Sequence, residues 1–135
     1  MRYQDFIEGV QKSGNIPSLQ QTELLVEASL STIGERMHPT IIDKFQSQLP
    51  NQLKSYLTQR ENSIQFSLEE YYKRVAARAD VGYPQAVRWS RAVMNLINQS
   101  ITAGLKKEIL GDLPPEFVEL FGQEPTTPLS PTVTE

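Results

Sequence analysis

The chain has 135 residues, 39% hydrophobic and 21% charged, and carries a formal net charge of −3, the makeup of one ordinary soluble domain with a modest core. With no cysteine it excludes disulfides, thiolate metal sites and cysteine nucleophiles, and its acidic balance argues against nucleic-acid binding by bulk attraction. No run approaches the roughly 18 apolar residues of a membrane span, and the start Met1-Arg2-Tyr3-Gln4-Asp5-Phe6 has no apolar export segment, so a cytoplasmic location is expected.

Tyr3, Phe6, Ile7 and Val10 fall at i, i+3, i+4 and i+7, which predicts a first helix over about 3–13, stopped by Ser13-Gly14-Asn15. Ser18 is the natural N-cap of a second helix, whose stripe of Leu25, Ala28, Thr32 and Ile33 runs to Arg36-Met37. Pro39 disfavours helical geometry at His38 and suits the first turn of a third helix bearing Ile41, Ile42 and Phe45. Pro50 opens a fourth over about 50–58, with Leu53, Tyr56 and Leu57 on its inner face. The polar string from Thr58 to Ser63 follows as a linker.

A second set of elements then replays the first. Ser67-Leu68-Glu69-Glu70 has the S-x-x-E form of a capping box. Leu68, Tyr71, Tyr72 and Val75 repeat the spacing of Tyr3, Phe6, Ile7 and Val10 at an offset of 65. Beyond the next loop the offset is 64, pairing Leu25 with Trp89, Ala28 with Ala92, Ile33 with Ile97, Phe45 with Ile109 and Leu49 with Leu113. Hydrophobic phase kept through four elements with one register shift predicts a duplicated unit. The expected architecture is all-α: two tandem, related four-helix units packed into one helical bundle, with a disordered C-terminal tail. The first repeat spans 1–58, a linker 59–66, the second repeat 67–121 and the tail 122–135. In each half a Leu-Pro element, Leu49-Pro50 or Leu113-Pro114, is expected to close the core of its own unit. The Pro- and Thr-rich tail has too little apolar content to offset the entropy of ordering; Thr127 and Ser130, each followed by proline, are candidate modification sites within it.

The residues Tyr3, Phe6, Ile7, Val10, Leu49, Pro50, Leu53 and Leu57, then Phe66, Leu68, Tyr71, Val75, Ala92, Leu113, Pro114, Glu116, Phe117 and Phe121, form a pattern that resembles the domain of unknown function DUF2267. The likeness covers roughly 3–121. It implies an all-helical, internally duplicated bacterial protein, and it brings no catalytic residue with it.

The residues themselves offer little chemistry. The single histidine, His38, sits at a helix boundary, which excludes sites built on histidine pairs. Glu23 and Glu27 share a helix face but read as a solvated surface, and no glycine-rich phosphate loop occurs. No catalytic residue, metal site, cofactor or small-molecule substrate is therefore assigned. Charge is nevertheless segregated. Lys73, Arg74, Arg78, Arg88 and Arg91 against Asp80 alone give the stretch 73–91 a local charge of +4, whereas 108–135 carries six acidic residues and no lysine or arginine. Arg74 with Arg78 and Arg88 with Arg91 each line a helix face, and antiparallel neighbours would bring the two pairs together around the Asp80-Val81-Gly82-Tyr83-Pro84 turn. Trp89, matched by Leu25, reads as core. The sequence thus points to a non-enzymatic module for binding another protein or a second copy of itself, through this basic face or through apolar surface where the halves meet. The alternative is nucleic acid held by the basic face.

Overall fold

A computed structural model describes residues 1–58 and 61–122. The order is α1 (Tyr3–Gly14), α2 (Leu19–Arg36), α3 (Pro39–Ser47), α4 (Asn51–Lys54), α5 (Leu68–Ala79), α6 (Tyr83–Ser100), α7 (Ala103–Asp112) and a 3₁₀ helix, η1 (Pro115–Phe121). Among the described residues the structure is entirely helical. The expected tail beyond Gly122, with Thr127 and Ser130, lies outside the described residues.

Most helix ends follow from local chemistry. Ser18 Oγ accepts the Gln21 N–H at 3.1 Å to start α2, and Ser67 Oγ accepts that of Glu70 at 3.1 Å to start α5. Only half of the expected capping box forms at α5, because the Glu70 carboxylate turns to Arg74 Nε at 3.0 Å. The Leu68 N–H that the turn leaves over is taken by Glu116 Oε2 of η1 at 3.0 Å. The other half, a third-position side chain accepting the N-cap N–H, appears instead at α6, where Gln85 Oε1 accepts the Gly82 N–H at 2.9 Å. α1 and α5 both stop on a left-handed residue, Asn15 (φ 53°) and Asp80 (φ 56°).

The helix opened by Pro50 is shorter than its stripe suggests. α4 ends at Lys54 because Tyr56 and Leu57 tighten into bonds three residues back, to Leu53 O and Lys54 O. The Gln46 Nε2 group then caps the carbonyls of Lys54 (3.0 Å) and Leu57 (2.6 Å). η1 is 3₁₀ throughout.

The expectation of one small core per half is corrected by the packing. Leu53 and Leu57 from the first half share a single cluster with Phe117, Leu120 and Phe121 from the second. α1 packs on α6 as well as on α2, and α5 packs on α2 as well as on α6. The two 18-residue helices α2 and α6 are buried on more than one side: Val26, Ser29 and Leu30 join Leu25 and Ile33, and Ala86, Val93 and Met94 join Trp89 and Ile97. Trp89, only 4% exposed, is a core residue.

The polar contacts between halves are reciprocal. The His38 N–H donates to Asp112 Oδ2 at 2.8 Å, and the Thr102 N–H, 64 positions on, donates to Gln48 Oε1 at 2.8 Å, 64 positions before Asp112. Lys44 and Glu108, again 64 apart, join α3 to α7 at 2.6 Å. The segment before α5 is tied to the end of α2 by Ile64 N–H to Glu35 O (2.7 Å) and Arg36 Nε to Phe66 O (3.1 Å).

Candidate interaction surface

Burial and pairing divide the five basic residues of the expected face. Arg78 points at α2, where its guanidinium meets both carboxylate oxygens of Glu35 at 3.1 and 3.2 Å and the Thr32 hydroxyl at 2.8 Å. Arg74 joins the same Glu35 at 3.6 Å, holds Glu70 at 3.0 Å and lies 4.5 Å above the Phe66 ring. Lys73 faces Glu69 one turn back at 3.7 Å. Arg91 turns the other way, to Glu119 of η1 and to the Tyr72 hydroxyl at 3.3 Å. Burial opposes the charge on Arg91, but its bonds to Tyr72 and Glu119 outweigh that and raise its pKa. Arg78 and Arg91 are therefore recruited to opposite neighbours instead of meeting across the Asp80 turn. Arg88 alone of the five is exposed and without an ion pair among the described residues.

Where α5, α6 and η1 converge they leave a groove of about 460 Å³. Its apolar surface comes from Leu68 and Tyr72 of α5, Tyr83 of α6, and Pro115 and Val118 of η1. Tyr83 is the first residue of α6, 41% exposed, and its ring stands edge-on to Tyr72 with centroids 6.0 Å apart. Glu69, Glu116 and Glu119 complete the lining, which carries carboxylates and no lysine or arginine; Lys73 and Arg91 pair with Glu69 and Glu119 from outside it. Tyr72 is a rigid part of this wall. Its ring touches Tyr71 (5.7 Å), its hydroxyl donates to Glu119 at 3.4 Å, and burial raises its pKa above the ordinary tyrosine range.

Sequence periodicity places Tyr72 on the buried stripe and leaves Tyr83 as a loop residue, so this groove is not evident from it. The available signal was Tyr83-Pro84 itself: a large aromatic at a helix start, out of phase with the stripe of Trp89 and Val93. His38, the lone histidine, serves as the cap of α3, its Nδ1 accepting the Thr40 N–H at 3.3 Å. Among the described residues no group of three or more histidine or acidic side chains is placed to hold a metal ion. No helix among them is long and apolar enough to cross a membrane.

No curated protein matches the chain. The family pattern described as an uncharacterized conserved protein, DUF2267, matches residues 3–120, nearly all of the described fold, and the chain belongs to that family.

Proposed function

We propose that this is a non-enzymatic protein-interaction module built from a duplicated four-helix unit, and that the groove between α5, α6 and η1 is its docking surface. The duplication is supported by element lengths of 12 and 18 residues for both α1, α2 and α5, α6, and by the reciprocal His38–Asp112 and Thr102–Gln48 bonds. The observation that carries the docking reading is the groove itself: an exposed Tyr83 beside a preorganised Tyr72, rimmed by three glutamates. Rigid aromatics offer contact area with little entropy to lose, and a carboxylate rim selects a segment bearing lysine or arginine next to apolar side chains.

The nucleic-acid alternative is weakened by the pairing of Lys73, Arg74, Arg78 and Arg91 with carboxylates. A fluorescein-labelled peptide of alternating arginine and leucine, followed by anisotropy, tests the reading. Saturable binding that weakens with salt, and by about tenfold or more in Tyr83→Lys, is the expected result. Undetectable binding, or binding indifferent to Tyr83→Lys, would overturn it. Tight binding of a labelled DNA duplex that is lost in Arg88→Ala would put the nucleic-acid reading in its place.

A further inference from the structure

The fold holds a second groove. It lies between α1 and α2, has a volume of about 230 Å³, and is lined by Tyr3, Gln4, Ile7, Glu8, Leu19 and Glu23. Four of these residues are counterparts of groove residues in the other half: at the offset of 65 Tyr3 matches Leu68, Gln4 matches Glu69 and Ile7 matches Tyr72, and at 64 Leu19 matches Tyr83. Leu19 and Tyr83 are each the first residue of an 18-residue helix. Both are among the few large apolar side chains the described fold leaves exposed, at 49% and 41%. A buried side chain at matching positions would follow from packing alone, but an exposed one has no such cause.

The two grooves also share their electrostatics. Glu8 and Glu23 rim the first, as Glu69, Glu116 and Glu119 rim the second. In each, a tyrosine hydroxyl holds a rim carboxylate, Tyr3 to Glu23 at 3.0 Å and Tyr72 to Glu119 at 3.4 Å. The walls differ in one respect: η1 closes the second groove, whereas the first has no wall from α4 and is smaller.

We infer that the module is bivalent, with the α1–α2 groove a second docking site for the same class of occupant, a partner segment carrying lysine or arginine beside apolar residues. This rests on the docking reading given above for the α5–α6–η1 groove. Two sites of one chemistry on a rigid body suit a partner that presents the segment twice or an assembly in which one module joins two partners. Linked engagement then raises avidity without any new contact. The smaller first groove is the weaker of the two.

Photo-crosslinking of the arginine–leucine peptide, carrying a benzophenone and mapped by mass spectrometry on the full chain, tests this. Adducts are expected in two clusters, around Tyr3–Leu19 and around Leu68–Tyr83, with a limiting stoichiometry of two peptides per chain. Leu19→Lys should remove the first cluster and spare the second, and Tyr83→Lys the reverse; both positions are exposed, so unchanged circular dichroism is expected for each. Adducts confined to the Tyr83 cluster, at one peptide per chain, would overturn bivalence and leave the docking reading standing. An absence of adducts at both would overturn the two together.

Discussion

Tyr71 shows how one buried side chain sets the response of the fold to pH. It is fully buried, its hydroxyl donates to Ser29 O at 3.1 Å, and its ring meets Phe117 at 6.2 Å. Burial pushes its phenol well above the usual range, and burial also raises Tyr3 and Tyr72. A folded-state pKa above the unfolded value leaves stability intact below about pH 10. Above that, the unfolded chain ionises while the native phenol does not, and Tyr71 alone should remove about 1.4 kcal/mol per pH unit. Urea midpoints at pH 8, 10 and 11 should therefore fall steeply between the last two, and Tyr71→Phe should lessen that slope, leaving the part due to Tyr3 and Tyr72, while costing about 1 kcal/mol at pH 8. An alkaline slope unchanged by Tyr71→Phe would show that another group controls it. Asp80 carries the opposite kind of opportunity. Its φ of 56° and its place at the carboxyl end of α5 set a left-handed backbone and a negative charge where glycine and a neutral end are preferred. Asp80→Gly should stabilise by roughly 0.5–1 kcal/mol, read as a rise in Tm of about 2–3 °C.

Between elements, the strongest polar tie is Glu35. Its side chain is 11% exposed at the end of α2, and it receives Arg78 through both oxygens and Arg74 at 3.6 Å, both from α5. Removing it leaves the Arg78 guanidinium with Thr32 alone among the described residues while Arg74 keeps Glu70, so Glu35→Ala should cost about 2 kcal/mol in chemical denaturation, short of the full buried-pair figure because both arginines reach solvent. Arg78→Lys should cost about 1 kcal/mol, since an ammonium cannot replace the two parallel bonds. If either substitution leaves the urea midpoint in place, the cluster has no part in joining α2 to α5. None of this was legible in the sequence. The apolar periodicity of α1 and α5, the caps at Ser18 and Ser67 and the stop at Pro39 are local facts, set by residues within a turn of one another, and they could be read directly. Glu35 could not, because its burial depends on which helix lies across from α2, and periodicity marks the apolar face without naming its partner. The arginines read as a face for the same reason: their spacing along α5 and α6 is visible in the sequence, and the carboxylates waiting on α2 and η1 are not. One non-local signal is present in the sequence: Val26, Ser29, Leu30 and Gly34 make α2 small or apolar over most of its surface, the mark of a central helix.

At the scale of the molecule, reciprocal packing decides how the chain unfolds. The sequence halves are contiguous, yet α1 lies on α6 and α5 on α2, and the apolar cluster runs through both. A fragment 1–58 would keep the α1–α2 and α3–α4 contacts but expose the side of α2 that α5 and α6 cover. A chain of that length buries only about 60% of its unfolded surface even when its core is complete, so losing a shared core should leave it without a stable fold. The same holds for 61–122, whose α5 and α6 pack on α2 and whose α6 packs on α1. Circular dichroism of each fragment alone should therefore show little helix, an equimolar mixture should recover much of it, and the intact chain should unfold in one transition with matching fluorescence and dichroism midpoints. A fragment that melts cooperatively by itself would restore the picture of two self-sufficient units. If the fragments complement one another instead, the two grooves sit on a single rigid frame, whose halves stay fixed relative to each other while partners come and go.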